Sequence, residues 1–408
     1  MSETFDVLIV GGGPVGACAA ALLARGSAHF AAPLRVAVLD PHDCPAPEPD
    51  SALDARVVAL SRASERILRS AGAWERVHGP RICAYERMRV WHESVAADCA
   101  DVLLFDAADA GEANLGYIAE NRLVQAALLQ ALTDAGAQIV CAQFQSLRIG
   151  TDAVHVLSSA GSLSTRLLVG ADGAQSTVRE SVGLTAEIRD YHQLAMIATV
   201  ATERPHASTA WQRFMRQGTL AMLPLADGHS SIVWSADEAL AATLMAASPQ
   251  QYSNALTQAS DLALGDVTLV SERSAFPLRQ LAAHRYVAQR CALIGDAAHV
   301  VHPLAGQGLN LGLLDAAALA QCVLDKVQER EDPGALRGLR AYERWRKSEL
   351  AVMSAAIDAF DRLLAHGAGP VSRLAQRGLG WVNRSSELKR LFIRRALGLT
   401  GELPRAAR

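Results

Sequence analysis

Residues 5–16 read Phe-Asp-Val-Leu-Ile-Val-Gly-Gly-Gly-Pro-Val-Gly, a short apolar run followed directly by a glycine-rich turn. Such a run is typical of a buried strand, and the alanine-rich residues 17–24 after the turn indicate a helix. A second apolar run at residues 34–39 ends at Asp40. The order strand, helix, strand predicts an α/β fold with a parallel sheet that begins at residue 5.

The glycine-rich turn fits the pattern GxGxxG through Gly11, Gly13 and Gly16. Gly11 permits a tight turn, Gly13 lets the backbone approach a pyrophosphate, and Gly16 allows close packing of helix on strand. The helix N-terminus directs free N–H groups and a partial positive charge at the phosphates. Asp40, 24 residues after Gly16, is placed to bind a ribose. The sequence therefore predicts a dinucleotide site, and this motif alone does not separate FAD from NAD.

Two further motifs combine a strand, a glycine turn and a helix. Residues 170–179 read GADGAQSTVR, in which a strand delivers Asp172 and Gly173 to a turn and Ser176 can cap the next helix. Residues 295–312 read GDAAHVVHPLAGQGLNLG, in which a strand ends near Asp296 and a glycine-rich loop enters a long helix. The N-terminus of that helix can stabilise a group that gains negative charge.

The order GxGxxG, ADGxxSxVR and GDAAHxxxPxxGQGxN resembles that of the class A flavoprotein aromatic hydroxylases, which share the p-hydroxybenzoate hydroxylase fold. Three stretches are similar to the ubiquinone-biosynthesis hydroxylases, the UbiH/UbiF group: HPLAGQGLNLGLLD at 302–315, LDARVVALS at 53–61 and GYIAENR at 116–122. The similarity runs from about residue 5 to residue 400. It implies a doubly wound, Rossmann-like FAD-binding domain with an inserted antiparallel-sheet substrate domain.

The resemblance also implies roles for individual residues. Gly11, Gly13 and Gly16 would hold the FAD pyrophosphate and Asp40 the adenosine ribose, although the family usually has Glu at position 40. Pro303 would lie on the substrate side of the flavin. The other residues implied to bind the cofactor are Arg56, Arg122, Gln125, Asp172, Gly173, Asp296, Gly306, Gln307, Gly308, Leu309 and Asn310. The sequence requires no side chain as catalytic acid or base, and we expect no metal site.

The implied activity is that of an FAD-dependent monooxygenase. NADPH or NADH would reduce FAD, the reduced flavin would form a C4a-hydroperoxide with molecular oxygen, and one oxygen atom would pass to an aromatic ring. The implied substrate is a polyprenylated phenol or quinol of ubiquinone biosynthesis.

Three alternative functions explain the motifs to different extents. A hydroxylase of soluble phenols shares every cofactor motif and differs only in residues 181–275. A non-catalytic, flavin-containing scaffold of a biosynthetic complex belongs to another class of protein, and the intact loop at 306–308 argues against it. An NAD-dependent dehydrogenase explains the first motif and Asp40 but leaves the second and third motifs unexplained.

Changes in the residue pattern along the chain predict its division into domains. We expect the first part of the FAD-binding domain at 1–180, with substrate-side segments near 76–105, and its second part at 276–365. Short β-like runs broken by Gly and Pro predict a substrate domain at 181–275 that is mainly antiparallel sheet. A basic amphipathic helical region is expected at 366–408.

Composition excludes several classes of protein. The 408 residues contain 39 basic and 42 acidic side chains, a net charge of −3 that argues against a nucleic-acid binder. Seven single cysteines without a CxxC pair argue against a disulfide framework or a zinc site and fit a reducing cytoplasm. We read no signal peptide, and no apolar run approaches the roughly 18 residues of a spanning helix. The sequence does not indicate an oligomeric state.

The C-terminal residues 371–408 differ from the rest of the chain in charge. Nine Arg or Lys and two Glu give this segment a net charge of +7, which leaves −10 for residues 1–370. Five apolar residues fall on one face of a helix: Leu388, Leu391, Phe392, Ala396 and Leu399. Two interpretations remain open. The helix touches an anionic membrane or a partner, or it packs on its own protein with a solvated basic face.

Overall fold

The structure is a computed structural model that describes residues 3–99, 102–301, 306–364 and 386–408. The strands are β1 Glu3–Val10, β2 Val36–Leu39, β3 Val57–Leu60, β4 Cys83–Tyr85, β5 Arg87–His92, β6 Leu103–Asp106, β7 Gly116–Glu120, β8 Gln138–Val140, β9 Phe144–Ile149, β10 Val154–Ser158, β11 Gly161–Gly170, β12 Ala186–Thr202, β13 Thr209–Met215, β14 Gly218–Pro224, β15 Ser230–Asp237, β16 Val267–Leu269, β17 Ser274–Ala283, β18 Val287–Ala288, β19 Cys291–Leu293 and β20 His299–Val300. The helices are α1 Pro14–Ser27, α2 Arg62–Ala71, α3 Trp74–Val77, α4 Ala107–Ala110, α5 Asn121–Asp134, α6 Thr177–Ser181, α7 Glu238–Ala246, α8 Pro249–Ala259, α9 Gly308–Gln328, α10 Leu336–Leu364 and α11 Ser386–Ala396.

The first sheet contains the strands that precede the three sequence motifs. Its order is β18-β19-β11-β1-β2-β8, and β10 joins β11 to β9. The central strands β1, β2, β11 and β19 are parallel to one another. Because helices α1 and α9 cover this part of the sheet, these four central strands are mostly apolar and buried along most of their length. The carboxyl ends of β1, β11 and β19 therefore bring the three motifs to one edge.

The second sheet has the order β20-β17-β12-β15-β14-β13-β5-β6, with β16 beside β12. Side chains along its strands alternate between two faces. On β14, Leu220 and Met222 pack with Trp234 of β15 in a core that α7 and α8 cover. The intervening residues Thr219 and Ala221 face the opposite way, toward a cavity. Strands β3, β7 and β4 form a small third sheet.

The second sheet extends beyond residues 181–275 in both directions. Strands β5 and β6, which overlap the segments near 76–105 that were predicted to lie on the substrate side, belong to it. The expected boundary at 275 does not coincide with an end of the sheet, because β17 pairs with β12 as far as Ala283 and β20 pairs with β17. The segment also contains helices α7 and α8, which the prediction of mainly sheet did not include. They are required because the core face of β14 and β15 is apolar and must be buried.

The described part of the C-terminal region packs on the rest of the protein. Ile393 and Leu397 are buried against α4 and Leu115, and the ammonium of Lys389 lies 2.7 Å from the carboxylate of Asp109. Farther along, the indole N–H of Trp345 donates to the carbonyl of Glu402 at 2.8 Å. These contacts match the second interpretation of the basic helix. Residues 365–385 and the side chains of Leu388, Leu391, Phe392 and Ala396 lie outside the described residues.

Helix α9 is long and apolar enough to span a bilayer, but 61% of its most apolar stretch is buried within the protein. It packs against α1, α2 and α10. Helix α9 is therefore a core helix that packs beside the first sheet and contacts all three of these helices.

Candidate active site

One cavity of about 510 Å³ lies between the two large sheets. Residues from the three motif loops line one side: Gly13, Pro14, Val15, Ala171, Gly173, Ile294, Asp296, Gly306, Gly308 and Leu309. The second sheet and its neighbours line the other side: Tyr85, Met88, Ile118, Ala210, Gln212, Thr219, Ala221, Leu223, Val233 and Ser235. We call these the loop side and the strand wall. Arg56 and the following residues of β3 connect them.

Two glycines of the first loop are required by close backbone packing. Gly11 has a φ of +107°, and a Cβ there would overlap the carbonyl oxygen of Ala171. A Cβ on Gly16 would overlap the carbonyl oxygen of Gly11. These contacts place the start of α1 directly on β1 and β11, so that its N-terminus faces the cavity.

Asp40 and Gln125 fix the same loop from behind. A carboxylate oxygen of Asp40 accepts a hydrogen bond from the N–H of Gly12 at 2.6 Å, and the amide of Gln125 donates to the Gly12 carbonyl at 3.0 Å. The other oxygen of Asp40 accepts from the N–H of His42 at 2.8 Å. Its side chain is 19% exposed. That second oxygen also lies 3.2 Å from His42 Nδ1, but the oxygen bound to Gly12 has a second acceptor position, so Asp40 can hold the loop and still bind a hydroxyl group.

The two arginines expected at the cofactor lie in different surroundings. Arg56 lines the cavity, and its guanidinium carbon lies 5.8 Å from the centre of the Phe276 ring. Arg122 is exposed, does not line the cavity, and donates from Nε to the carbonyl of Pro45 at 3.0 Å. The structure therefore gives Arg122 a contact with the proline-rich loop in place of a position in the cavity.

Asp172 and Gly173 of the second motif have different roles. The carboxylate of Asp172 accepts from Ser176 Oγ at 2.5 Å and from the N–H of Val178 at 3.0 Å, so it organises the start of α6. Gly173, with a φ of +82°, lines the cavity. The buried Arg179 donates to the carbonyl of Ala297 at 2.9 Å and thereby ties this motif to the third.

Asp296 faces the cavity from the turn after β19. Solvent reaches it through the cavity, while protein encloses it on its other sides. This enclosure raises the pKa of Asp296, although the nearby charges of His299 and Arg56 act in the opposite direction. A carboxylate with a raised pKa in a concave site is a functional-site candidate.

A buried ionic cluster supports that turn, and sequence reasoning missed two of its members. The carboxylate of Asp315 on α9 accepts from the Gly295 N–H at 3.0 Å, lies 2.6 Å from His299 Nε2, and accepts from Arg346 Nε at 2.7 Å. Burial alone would raise the pKa of Asp315, but the charges and hydrogen bonds of His299 and Arg346 hold it below its ordinary value. A lone Asp in the apolar stretch LNLGLLDAAALA was the available signal.

The loop before α9 completes this side of the cavity. Gly306, Gly308 and Leu309 line it, and Gln307 occupies the N-cap position of α9. Asn310 is buried, so its side chain acts as a brace: its amide donates to the Ala59 carbonyl at 2.8 Å and its carbonyl accepts from the Ser61 N–H at 2.9 Å. Pro303 lies outside the described residues.

The strand wall contains the site residues that sequence motifs did not reveal. It is mostly apolar, with Met88, Leu223 and Val233 among its members. Burial raises the pKa of Tyr85 to about 12, so its hydroxyl keeps its proton at neutral pH. The sequence of β14 shows that its side chains point alternately to two faces of the sheet, but it does not show which face lines a cavity.

The loop side fits FAD. Gly13, Gly173 and Gly308 have no atom of the described residues within 4 Å of the position where a Cβ would stand, so backbone is open to a ligand. Helices α1 and α9 both begin at the cavity, and the first N–H groups of a helix lack intrahelical partners. Such ends suit a pyrophosphate and an electron-rich ring edge. In the described ranges, no cluster of His, Cys, Asp and Glu has the arrangement of a metal site.

Comparisons with known proteins agree with this site. The family model "FAD binding domain" matches residues 4–353. The ubiquinone hydroxylase UbiL of Rhodospirillum rubrum is 36% identical over 99% of this chain and 92% of its own length. The 3-demethoxyubiquinol 3-hydroxylase of Escherichia coli is 34% identical over 98% of this chain and 100% of its own length.

The fold has a counterpart among solved structures. The crystal structure of p-nitrophenol 4-monooxygenase PnpA from Pseudomonas putida matches 98% of this chain and 99% of that chain with a TM-score of 0.76 at 21% identity. The predicted fold class is confirmed, as are FAD as cofactor and reduced nicotinamide and oxygen as co-substrates. The chain belongs to the family of FAD-dependent monooxygenases that includes the ubiquinone-biosynthesis hydroxylases.

Proposed function

We propose that this enzyme hydroxylates the aromatic ring of a polyprenylated phenol in ubiquinone biosynthesis. The observation that carries the proposal is that a glycine-rich loop side and a mostly apolar strand wall face each other across a shared cavity. Two relatives of nearly equal length are named for hydroxylation of ubiquinone or its precursor. An apolar wall suits an uncharged ring better than a charged or strongly polar one.

The loop side supplies the residues that would hold FAD. We assign the pyrophosphate to the backbone at Gly11–Gly13 and the N-terminus of α1, with Asp40 at the ribose. Asp296 and Arg56 would bind polar groups of the cofactor within the cavity. The backbone at Gly308 and Leu309 would face the ring edge that becomes negative on reduction.

When bound, FAD supplies the redox chemistry, in which a hydride from NADPH or NADH and one oxygen atom from O₂ are used to hydroxylate the ring. The protein's share is positioning and exclusion of water. Met88, Leu223 and Val233 pack against an apolar ring and keep water away from it. Tyr85, which keeps its proton, can donate a hydrogen bond to an oxygen atom on the ring.

The test is mass spectrometry of quinone precursors extracted from cells that lack this gene. We expect a prenylated intermediate that lacks one hydroxyl group, and its mass narrows the step. Return of the normal quinone after re-expression of the gene completes the test. An unchanged quinone pool in a strain shown to have no second hydroxylase contradicts the proposal and favours a soluble phenol as substrate.

We also propose that the enzyme contacts the membrane peripherally through the outer face of α11. The apolar residues Ile393 and Leu397 are turned inward, while Arg390 and Arg394 are exposed. Exposed arginines attract anionic lipid at about 1 kcal/mol each near the surface.

The test of this contact is co-sedimentation with anionic liposomes. The double variant Arg390→Glu and Arg394→Glu should lose most of its binding. A control with the same charge change, Arg148→Glu and Arg330→Glu, should keep it. Equal binding by wild type and both double variants would contradict the contact.

A further inference from the structure

Arg81 lies beneath the segment of chain that leads to Arg56. Its side chain is 10% exposed and pairs with the carboxylate of Glu120, which is 3% exposed. Arg81 Nε and Nη2 each lie 2.8 Å from one carboxylate oxygen of Glu120, so the pair is bidentate. Burial of two charges is costly unless they are paired and their remaining donors find acceptors. The other N–H groups of Arg81 therefore need partners close by.

Those partners are backbone carbonyls of a single loop. Residues 48–56, which we call the Arg56 loop, form neither helix nor strand. Arg81 donates to four carbonyls of this loop: those of Glu48 at 3.1 Å, Pro49 at 3.1 Å, Ser51 at 2.8 Å and Ala52 at 3.3 Å. Because a segment outside regular structure cannot satisfy these carbonyls in a ladder, a side chain with several donors fixes its course.

The same ion pair also holds the far end of the Arg56 loop. Glu120 Oε1 accepts a hydrogen bond from the N–H of Asp54 at 2.8 Å. A carboxylate oxygen of Asp54 in turn accepts from the N–H of Arg56 at 2.9 Å. The N–H of Asn121 donates to the Arg56 carbonyl at 3.1 Å. A continuous chain of hydrogen bonds therefore runs from Arg81 to the backbone of Arg56.

Arg56 brings a positive charge to the cavity. It lines the cavity together with Asp296, and its guanidinium carbon lies 5.8 Å from the centre of the Phe276 ring. A guanidinium on a long side chain loses conformational freedom when it binds a ligand. Fixing its backbone in advance reduces that loss and strengthens binding.

We propose that Arg81 is a positioning residue for Arg56: paired with Glu120, it fixes the Arg56 loop so that the Arg56 guanidinium is held where it binds FAD. Arg81 is not among the described residues that line the cavity, so it acts through the loop. This inference rests on the assignment of Arg56 to the cofactor in the proposed function and adds the residue that holds it. A lysine could pair with Glu120, but one ammonium lacks the fork that spans a carboxylate and four carbonyls.

The test is a double-mutant cycle on the Kd of FAD, measured by diluting the holoenzyme and following the fluorescence of released FAD. We expect Arg81→Lys to raise the Kd by about fivefold or more and Arg56→Met to raise it by about tenfold or more, since both weaken a charge-assisted contact. In the Arg56→Met background, Arg81→Lys should change the Kd by less than about twofold, because the group that it positions is gone.

The cycle separates positioning from general damage. An equal factor for Arg81→Lys in both backgrounds would overturn the positioning role, because a structural defect weakens FAD binding whether or not Arg56 is present. A wild-type Kd in Arg81→Lys with weaker binding in Arg56→Met would also overturn that role and leave the cofactor assignment intact. A wild-type Kd in Arg56→Met would overturn the assignment of Arg56 itself. All these results are independent of which phenol is hydroxylated.

Arg290→Lys is the matched control. Arg290 is also buried, pairs with Asp332 at 2.5 Å, and donates to the carbonyls of Thr151 and Arg166 at 2.7 and 3.0 Å. It holds the turn between β9 and β10 and is not among the described residues that line the cavity. Its replacement should leave the Kd of FAD within about twofold of wild type, because distant sites act independently. A rise equal to that of Arg81→Lys would overturn the specific role of Arg81.

Hydrogen exchange at saturating FAD reports on the Arg56 loop separately from cofactor occupancy. Peptides that cover this loop should exchange faster in Arg81→Lys than in wild type or Arg290→Lys, and unchanged exchange would overturn the anchoring. If Arg81→Lys does not fold, Arg81→Met combined with Glu120→Gln removes both charges, and the new amide can still accept from the Asp54 N–H. Weaker FAD binding only where Arg56 is retained supports the role, and an equal loss without Arg56 overturns it.

Discussion

The loop side and the strand wall of the cavity are specified by different properties of the chain. The loop side depends on backbone geometry, and at Gly11 and Gly16 any side chain would overlap a carbonyl oxygen. The strand wall depends on which side chains happen to face inward, such as Ala221 and Leu223 on β14. A backbone requirement leaves a fixed pattern in the sequence, whereas a surface made of alternate strand residues can be built from many combinations.

The largest effect should come from a Cβ at a glycine that packs against backbone. Gly16→Ala places its methyl group on the carbonyl oxygen of Gly11. Neither α1 nor β1 can shift to make room for it, because both are packed in the core. We expect loss of several kcal/mol of stability and a protein that is mostly unfolded or insoluble. Urea unfolding followed by circular dichroism measures this.

Gly13→Ala is the matched control, because its Cβ would meet no atom of the described residues within 4 Å and its φ is −61°. Its apoprotein should unfold within about 1 kcal/mol of wild type. Its FAD content after purification should nevertheless fall, since the methyl group occupies space assigned to the cofactor. Equal stability of Gly13→Ala and Gly16→Ala would contradict the assignment of Gly16 to backbone packing and of Gly13 to cofactor binding.

The next effect concerns Asp315, which supports the loop side without touching the cavity. Asp315→Asn leaves the guanidinium of Arg346 buried without its carboxylate, at a cost of about 3–5 kcal/mol. Because the pKa of Asp315 is depressed, its contribution is present above the unfolded-state pKa of about 3.9 and is lost as the pH falls through the folded-state value. The variant should therefore be much less stable than wild type at pH 7, and the two should converge in acid. A constant difference down to pH 2 would contradict this.

The outcome for individual residues shows what the sequence could predict. Gly11 and Gly16 were predictable because sterics allow one residue type there. Asp172 and Arg122 belong to recognisable motifs, and their roles at the cofactor stay predictions: in the structure Asp172 accepts from the N–H of Val178 at the start of α6, and Arg122 donates to the carbonyl of Pro45. A carboxylate or guanidinium near a turn can satisfy either protein or ligand, and only the folded geometry distinguishes the two.

The strand wall was beyond sequence prediction for another reason. Leu220 and Leu223 are equally apolar, so the pattern of β14 shows alternation without showing which face meets the core. The choice of face depends on α7 and α8, which cover one side of the sheet and leave the other to the cavity. It is set by tertiary packing, which no local pattern in β14 records.

These two leucines provide a matched pair on one strand. Leu220→Ala opens a cavity in the core beneath α8 and should cost about 2–5 kcal/mol. Leu223→Ala removes the same atoms from a surface that already borders a cavity, so we expect a cost below about 1.5 kcal/mol and a higher KM for an apolar phenol. Urea unfolding and steady-state kinetics of both variants test the assignment of faces. A larger loss of stability in Leu223→Ala would reverse it.

The smallest effect should come from Asp296, where stability and binding oppose each other. Enclosure raises the pKa of Asp296, so the ionised carboxylate is disfavoured in the folded apoprotein. The resulting loss of folding stability is present at neutral pH and disappears as the pH falls through the raised pKa. Asp296→Asn should therefore raise the unfolding temperature of the apoprotein slightly at pH 7 and leave it unchanged near pH 3. The same variant should bind FAD several-fold more weakly if the carboxylate contacts the cofactor. Thermal unfolding of the apoprotein at both pH values, with FAD titration at pH 7, measures the two effects. A variant that is less stable than wild type at pH 7 would show that Asp296 serves the fold of the turn, whereas a gain in stability with weaker FAD binding would show that its charge is retained for the cofactor.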